Sequence, residues 1–214
     1  MKNQNIAVET YKYFSDLEGN QHIASEFALK KIIDVIENYK IKNVLELGLG
    51  IGSISFCVLQ FAKRNRQNIN YTGTEADDFC LKVLPKYLKV HFDKIQIFNS
   101  LNNVNSSKKF DLIIIDGKEE NLFKVKDVIS ERGIIIIEGD RMPQLELVKN
   151  VFSNHKYVRI ISNQLNRSYG PCSIYPSHYI GGIQLIFINP DLIQKLNFVY
   201  YRILTAIRYK LRSN

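Results

Sequence analysis

The apolar positions of this chain change period along its length, and the changes divide it into alternating elements. From 22 to 39, Ile23, Phe27, Ile32, Ile33 and Ile36 recur at helical spacing with Glu and Lys between them, which predicts an amphipathic helix. A short apolar strand over 43–47 ends in Gly48-Leu49-Gly50-Ile51-Gly52, and residues 53–63 resume helical spacing. The alternation continues with a strand over 70–75, a helix over 77–90 interrupted by Pro85, and strands over 94–98 and 111–115. A helix over 119–130, a strand over 133–137 and a helix over 143–152 follow. Strands over 157–162 and 182–188 flank a loop over 163–181 that is too long for a tight hairpin.

Most of these strands are unbroken runs of Ile, Leu and Val rather than an in-out alternation. Such strands are covered on both faces, as in a parallel sheet flanked by helices. The expected architecture is therefore α/β, a three-layer Rossmann-like sandwich. It spans 1–190 with a helical lead-in, and a basic, apolar helix follows over 191–214. A chain of 214 residues can bury this core as one domain, without metal or disulfides.

Composition narrows the picture modestly. The three cysteines, Cys57, Cys80 and Cys172, are scattered, as buried thiols in a reducing compartment would be. The first sixteen residues lack the apolar stretch of a secretory signal, and no apolar run reaches the roughly 18 to 20 residues of a membrane span, so a cytoplasmic protein is expected. The net charge of +8 permits nucleic acid, anionic lipid or an acidic substrate as partner. No specific nucleic-acid motif is present.

The glycine turn is the first candidate for chemistry. Gly48, Gly50 and Gly52 let a ligand approach the backbone, and the helix after them presents free N–H groups. A dinucleotide fingerprint would place its third glycine where Ser53 stands. Glu46, just before the turn, would repel a pyrophosphate but suits a cation, and S-adenosylmethionine carries a sulfonium and an ammonium. Glu75, at the end of the next strand, is placed to accept both hydroxyls of a ribose, with Asp77 as a helix cap.

The segments Val44 to Gly52, Thr72 to Asp77, Phe110 to Gly117 (FDLIIIDG) and Gly133 to Asp140 (GIIIIEGD) occur in the order of a class I methyltransferase. Over roughly 22–188 the chain resembles small O-methyltransferase-like members of that family. The resemblance implies a seven-stranded, mostly parallel sheet with an antiparallel last strand. It also implies that Glu46, Gly48 and Gly50 line the methionine part of the cofactor and that Glu75 holds the ribose. Asn99 and Ser100 would lie near adenine, and Asp116 and Gly117 at the rim between cofactor and substrate.

Asp116, Glu138 and Asp140 all fall at strand ends that face the ligand crevice of an open parallel sheet. Asp116 and Asp140 are the expected catalytic carboxylates, together with His178 of the long loop as a general base. Carboxylates at one rim admit Mg²⁺. The chain reads Glu138-Gly139-Asp140-Arg141 where metal-dependent relatives read Asp-Asn, so a metal is not favoured. Arg167, Tyr169 and Tyr175 of the loop are suited to gripping an acidic or sugar-like acceptor. The C-terminal helix, with no cover of its own, points to packing on the sheet, a homodimer or peripheral contact with a membrane. The expected function is methyl transfer from S-adenosylmethionine to an oxygen of a small molecule or glycan-type intermediate. The rivals are a cofactor-binding module without turnover, an NAD-dependent oxidoreductase and an RNA methyltransferase.

Overall fold

The computed structural model describes residues 2–165 and 179–212. Seven strands form one sheet: β1 (Asn43–Leu47), β2 (Asn70–Thr74), β3 (Ile95–Phe98), β4 (Phe110–Ile115), β5 (Ile129–Glu138), β6 (His155–Ile161) and β7 (Gly182–Ile188). Their order is β3-β2-β1-β4-β5-β7-β6. Strands β1 to β5 pair in parallel, and β7 runs antiparallel between β5 and β6, as the resemblance implied.

The helices are α1 (Lys2–Ser15), α2 (Glu26–Tyr39), α3 (Ser53–Arg64), α4 (Asp78–Leu88), α5 (Val125–Val128), α6 (Met142–Val151) and α7 (Leu192–Arg212). Alternate strand residues point to opposite faces. Val44, Leu112, Ile114, Ile134 and Ile136 pack with Leu29 and Ile33 of α2, Val58 and Phe61 of α3, and Tyr201 of α7. Leu45, Leu47, Ile113, Ile115, Ile135 and Ile137 pack with Val125, Leu145 and Val148 on the other side. This is the three-layer arrangement that unbroken apolar strands require.

Three elements differ from the pattern-based expectation. The helix expected over 119–130 is reduced to a 3₁₀ turn, Leu122–Lys124, and the single turn of α5. Its apolar spacing suits a helix, but Ile129 instead pairs with Phe110, and the register shifts before Leu112 meets Ile134. Pro85 does not interrupt α4. The helix continues through Leu88, whose side chain and that of Leu84 pack beneath Gly52. The helix expected over 22–39 starts late, at Glu26, as α2. Ser25 caps it, its Oγ accepting from the Ala28 N–H, and a separate 3₁₀ turn, Asn20–His22, precedes it.

The helix α7 lies along β6. The Thr205 hydroxyl donates to the Arg159 carbonyl at 2.7 Å, the Arg208 guanidinium to the Ile161 carbonyl at 2.7 Å, and Arg212 to the Ser162 carbonyl. No helix among the described residues is long and apolar enough to cross a membrane.

Ile114 sits fully buried in the middle of the sheet. Ile114→Ala should destabilise the protein by about 2–5 kcal/mol, the usual cost of removing a buried Ile side chain. Chemical denaturation followed by circular dichroism measures it; a loss under about 1 kcal/mol would mean that the sheet relaxes into the void.

Candidate functional site

The chain progresses outward from β1 to β2 and β3, then crosses back to place β4 on the other side of β1. The carboxyl ends of β1 and β4 therefore frame the point where the strand order reverses, which is where open α/β sheets form a crevice. The Leu47 carbonyl accepts from the Asp116 and Gly117 N–H groups, both at 2.9 Å. This draws the glycine turn against the end of β4, and a Cβ on Gly48 would stand 2.6 Å from the Gly117 Cα. Gly48 also has a φ of 90°, so only glycine fits there without strain.

A cavity of about 570 Å³ opens at this point. Its walls include Gly48, Gly50 and Gly117 from the strand ends, Glu75 and Asp77 after β2, and Asn99 after β3. The rim toward β5 is formed by Asp116, Glu138 and Arg141, and the lead-in before α2 contributes His22 and Ile23. The wall carries Glu75, Asp77, Asp116, Glu119 and Glu138 against Lys118 and Arg141, an excess of negative charge. That balance suits a cationic ligand and opposes a pyrophosphate.

Glu75 is held firmly. Its carboxylate accepts from the Gly50 N–H at 2.6 Å and from the Ala76 and Asp77 N–H groups at 2.8 Å. A carboxylate has about four acceptor positions, so one is left unused on this cavity-lining side chain. Asp77 caps α4, accepting from the Cys80 N–H at 2.9 Å, and those hydrogen bonds hold its carboxyl below the usual range. Capping is the role expected of it.

Several expected site residues are placed differently. Glu46 is fully buried behind the glycine turn and does not line the cavity. Its Oε2 accepts from the Tyr71 hydroxyl at 2.5 Å, while its Oε1 has no partner. Burial pushes its carboxyl well above the ordinary value; the Tyr71 hydrogen bond opposes this and the negative charges of Asp116 and Glu75 add to it. Gly52 is not among the residues that line the cavity. A Cβ there would meet Leu88 at 2.8 Å, so this glycine serves the packing of α3 on α4. Ser100 turns its hydroxyl to Asn103 at 2.8 Å, and its neighbour Asn99 reaches the cavity instead. Asp140 points away from the cavity. It pairs with Arg159 at 2.6 Å and is largely exposed, so the chain beyond β5 aims it at β6 rather than at the crevice. His178, with Arg167, Tyr169 and Tyr175, lies outside the described residues.

The sequence reading gave no role to Arg141 or His22, and it placed Glu138 at the crevice without naming it catalytic. The Arg141 guanidinium donates to the Asp116 carbonyl at 2.5 Å and to the Asp116 carboxylate at 3.0 Å, and its Nε to the Glu138 carbonyl at 3.1 Å. It ties the ends of β4 and β5 together and supplies the positive charge of this rim. Glu138 lines both this cavity and an adjoining one bounded by Tyr11, Ser15, Asn20, Ile23 and Ser25. His22, to which the sequence assigns no role, lies on the cavity wall, and its carbonyl would be 2.8 Å from a Cβ on Gly50. A cation directly after a strand-end carboxylate was the one available signal for Arg141. The strand-end position of Glu138 marks it as a crevice residue, whereas nothing local marks His22. Among the described residues, no group of three or more His, Cys, Asp or Glu side chains is arranged to hold a metal ion.

Burial raises the Asp116 carboxyl from 3.8 to about 7; the Glu138 charge adds to the rise and the Arg141 guanidinium opposes it. Burial raises the Glu138 carboxyl too, against hydrogen bonding with the Ser25 backbone and the charge of Arg141. A carboxyl whose folded value is raised favours the fold most below its unfolded value, and that contribution is lost as pH rises through the folded value. The stability of the parent protein relative to Asp116→Asn should therefore fall as pH rises from 3.8 to about 7 and level off above. Denaturant midpoints of both proteins across that range test this, and parallel profiles would show that Asp116 ionises as an ordinary surface acid.

No protein-family model and no curated protein matches the chain. Solved structures do. An O-methyltransferase of Bacillus cereus in complex with SAH is similar at 12% identity and a TM-score of 0.57, covering 88% of this chain and 91% of that one. The O-methyltransferase TomG of Streptomyces achromogenes in complex with SAM is similar at 10% identity and a TM-score of 0.57, with 88% and 90% covered. The SAH-bound methyltransferase PaMTH1 of Podospora anserina is similar at 13% identity and a TM-score of 0.56, with 86% and 88% covered. The strand order, the antiparallel β7 and these likenesses across most of the chain agree: the protein has the class I methyltransferase fold.

Proposed function

We propose that the protein transfers a methyl group from S-adenosylmethionine to an oxygen of a small molecule or glycan-type acceptor. The observation that carries this reading is the acidic cavity at the switch point between β1 and β4, walled by bare glycine backbone. Three features fit the methyl donor. Gly48 and Gly50 leave room for a chain such as its methionine part. Glu75 keeps acceptor capacity toward the cavity for ribose hydroxyls, with Asn99 placed toward the base. Behind the turn, Glu46 is a buried acid with an unpartnered oxygen, and a nearby sulfonium or ammonium would favour its ionised form. The Bacillus and Streptomyces neighbours were crystallised with SAH and SAM.

The donor supplies an electrophilic methyl carbon, and the displacement is in line, so acceptor alignment and removal of its proton fall to the chain. Asp116, held by Arg141, and Gly117, held by the Leu47 carbonyl, stand at the rim between donor and acceptor. Glu138 faces both cavities, and its carboxyl, raised by burial, is placed to receive the acceptor's hydroxyl proton. Tyr11, Ser15, Asn20 and Ser25 give the adjoining cavity hydroxyl and amide groups for a polyhydroxylated acceptor.

Calorimetry with S-adenosylmethionine and with NAD tests the cofactor directly. Binding of the methyl donor is expected; tight NAD binding without it would overturn the reading. Glu75→Ala should weaken donor binding by about 1–3 kcal/mol, the scale of lost hydrogen bonds to a charged group. An unchanged affinity would remove Glu75 from the ribose position. With a panel of hydroxylated acceptors, Glu138→Gln should lower kcat by about 10²-fold or more and leave donor affinity unchanged. Equal turnover by this variant would move the proton acceptor elsewhere. Donor binding without acceptor-dependent turnover across the panel would leave a binding module.

A further inference from the structure

One face of α7 is committed to the fold. Gln194, Tyr201 and Thr205 are buried, and Arg208 and Arg212 are bound to carbonyls at the end of β6 and just beyond it. The opposite face is apolar and uncovered. Leu192, Leu196, Val199, Ile203, Ile207 and Leu211 recur at helical spacing with half or more of each residue exposed, and Tyr200 lies beside them at 59%. A side chain of this kind is ordinary alone, but a stripe along a 21-residue helix is a surface built to be covered.

The charges say what covers it. Lys195 and Arg202 are exposed along one flank of the stripe, and Lys210 near its C-terminal end. From Leu192 to Asn214 the chain contains no Asp or Glu. A second copy laid on this face would bring cations toward cations with no acid on either helix to answer them. An apolar stripe beside cations is what an anionic lipid layer matches, with the side chains entering the acyl boundary and the cations meeting the headgroups.

We infer that α7 docks the protein in the plane of an anionic membrane surface, through the face that includes Leu196, Val199, Ile203 and Ile207, with Lys195, Arg202 and Lys210 at the headgroups. The helix would lie on the membrane without crossing it, in keeping with its hydropathy. Its chain direction follows β6, so its C-terminal end approaches the side of the sheet on which the glycine turn opens. The inference rests on the surface of α7 alone and holds whether or not the cavity binds a methyl donor.

The test is co-sedimentation of the full chain with phosphatidylcholine vesicles, with and without phosphatidylglycerol, alongside sedimentation velocity without lipid. Binding is expected to the phosphatidylglycerol vesicles, much less to phosphatidylcholine alone, and to fall as salt rises. The double substitution Leu196→Glu/Ile203→Glu should reduce that binding by about tenfold or more with an unchanged circular dichroism spectrum. Should that variant fail to fold, Lys195→Gln/Arg202→Gln/Lys210→Gln keeps the apolar stripe and should lose the preference for anionic vesicles. Absence of binding to phosphatidylglycerol vesicles would overturn the inference. So would a lipid-free dimer that Ile203→Glu separates and that does not bind vesicles.

Discussion

The contact between the ends of β1 and β4 organises the rest of the molecule's chemistry. One carbonyl, that of Leu47, accepts from two successive N–H groups, those of Asp116 and Gly117. The pair of bonds is possible because neither Gly48 nor Gly117 has a side chain to keep the backbones apart. Closing the two strand ends on each other turns the glycine loop upward into the cavity. It also brings Asp116 to the rim, beside Glu138 and within reach of Arg141. A methyl group at either glycine would push the seam open and displace both walls at once.

The electrostatics of the site follow from the same closure. Asp116 and Glu138 are partly withdrawn from water by the packing of strand ends, and their mutual repulsion is moderated by the Arg141 guanidinium. Partly buried acids held this way have raised carboxyls, that of Asp116 to about 7, where a group can both hold and release a proton. Glu46 lies deeper, with Tyr71 as its one hydrogen-bond partner, so the negative character of the site extends beneath its floor. Glu75, by contrast, is anchored by three N–H groups and presents a fixed acceptor.

Local pattern served well where one segment contains the whole cause of its structure. Apolar runs placed the strands to within a few residues, and β1 and β7 fall on the expected boundaries. The helix expected over 119–130 was the exception. Its spacing fits two structures, and pairing of Ile129 with Phe110 chose between them. The glycine turn was legible as a place of close approach, but three glycines in a row of alternate positions look alike in sequence. Only their surroundings separate Gly48, pressed on Gly117, and Gly50, beside the His22 carbonyl, from Gly52, packed on Leu84 and Leu88.

What the sequence by itself determined is the layered α/β fold and the position of the glycine turn. It also determined the acidic character around that turn, because period, glycine spacing and charge sign are properties of contiguous residues. What only the tertiary structure decided is which acids share a space. Glu138 faces the cavity while Asp140, two residues on, swings to Arg159, since the chain leaves β5 through Gly139 at a positive φ of 71°. His22 and Arg141 reach the same wall from segments more than a hundred residues apart in the chain. The split face of α7 belongs here as well: its apolar spacing is plain in sequence, but only packing against β6 shows which stripe is used and which is left for a partner.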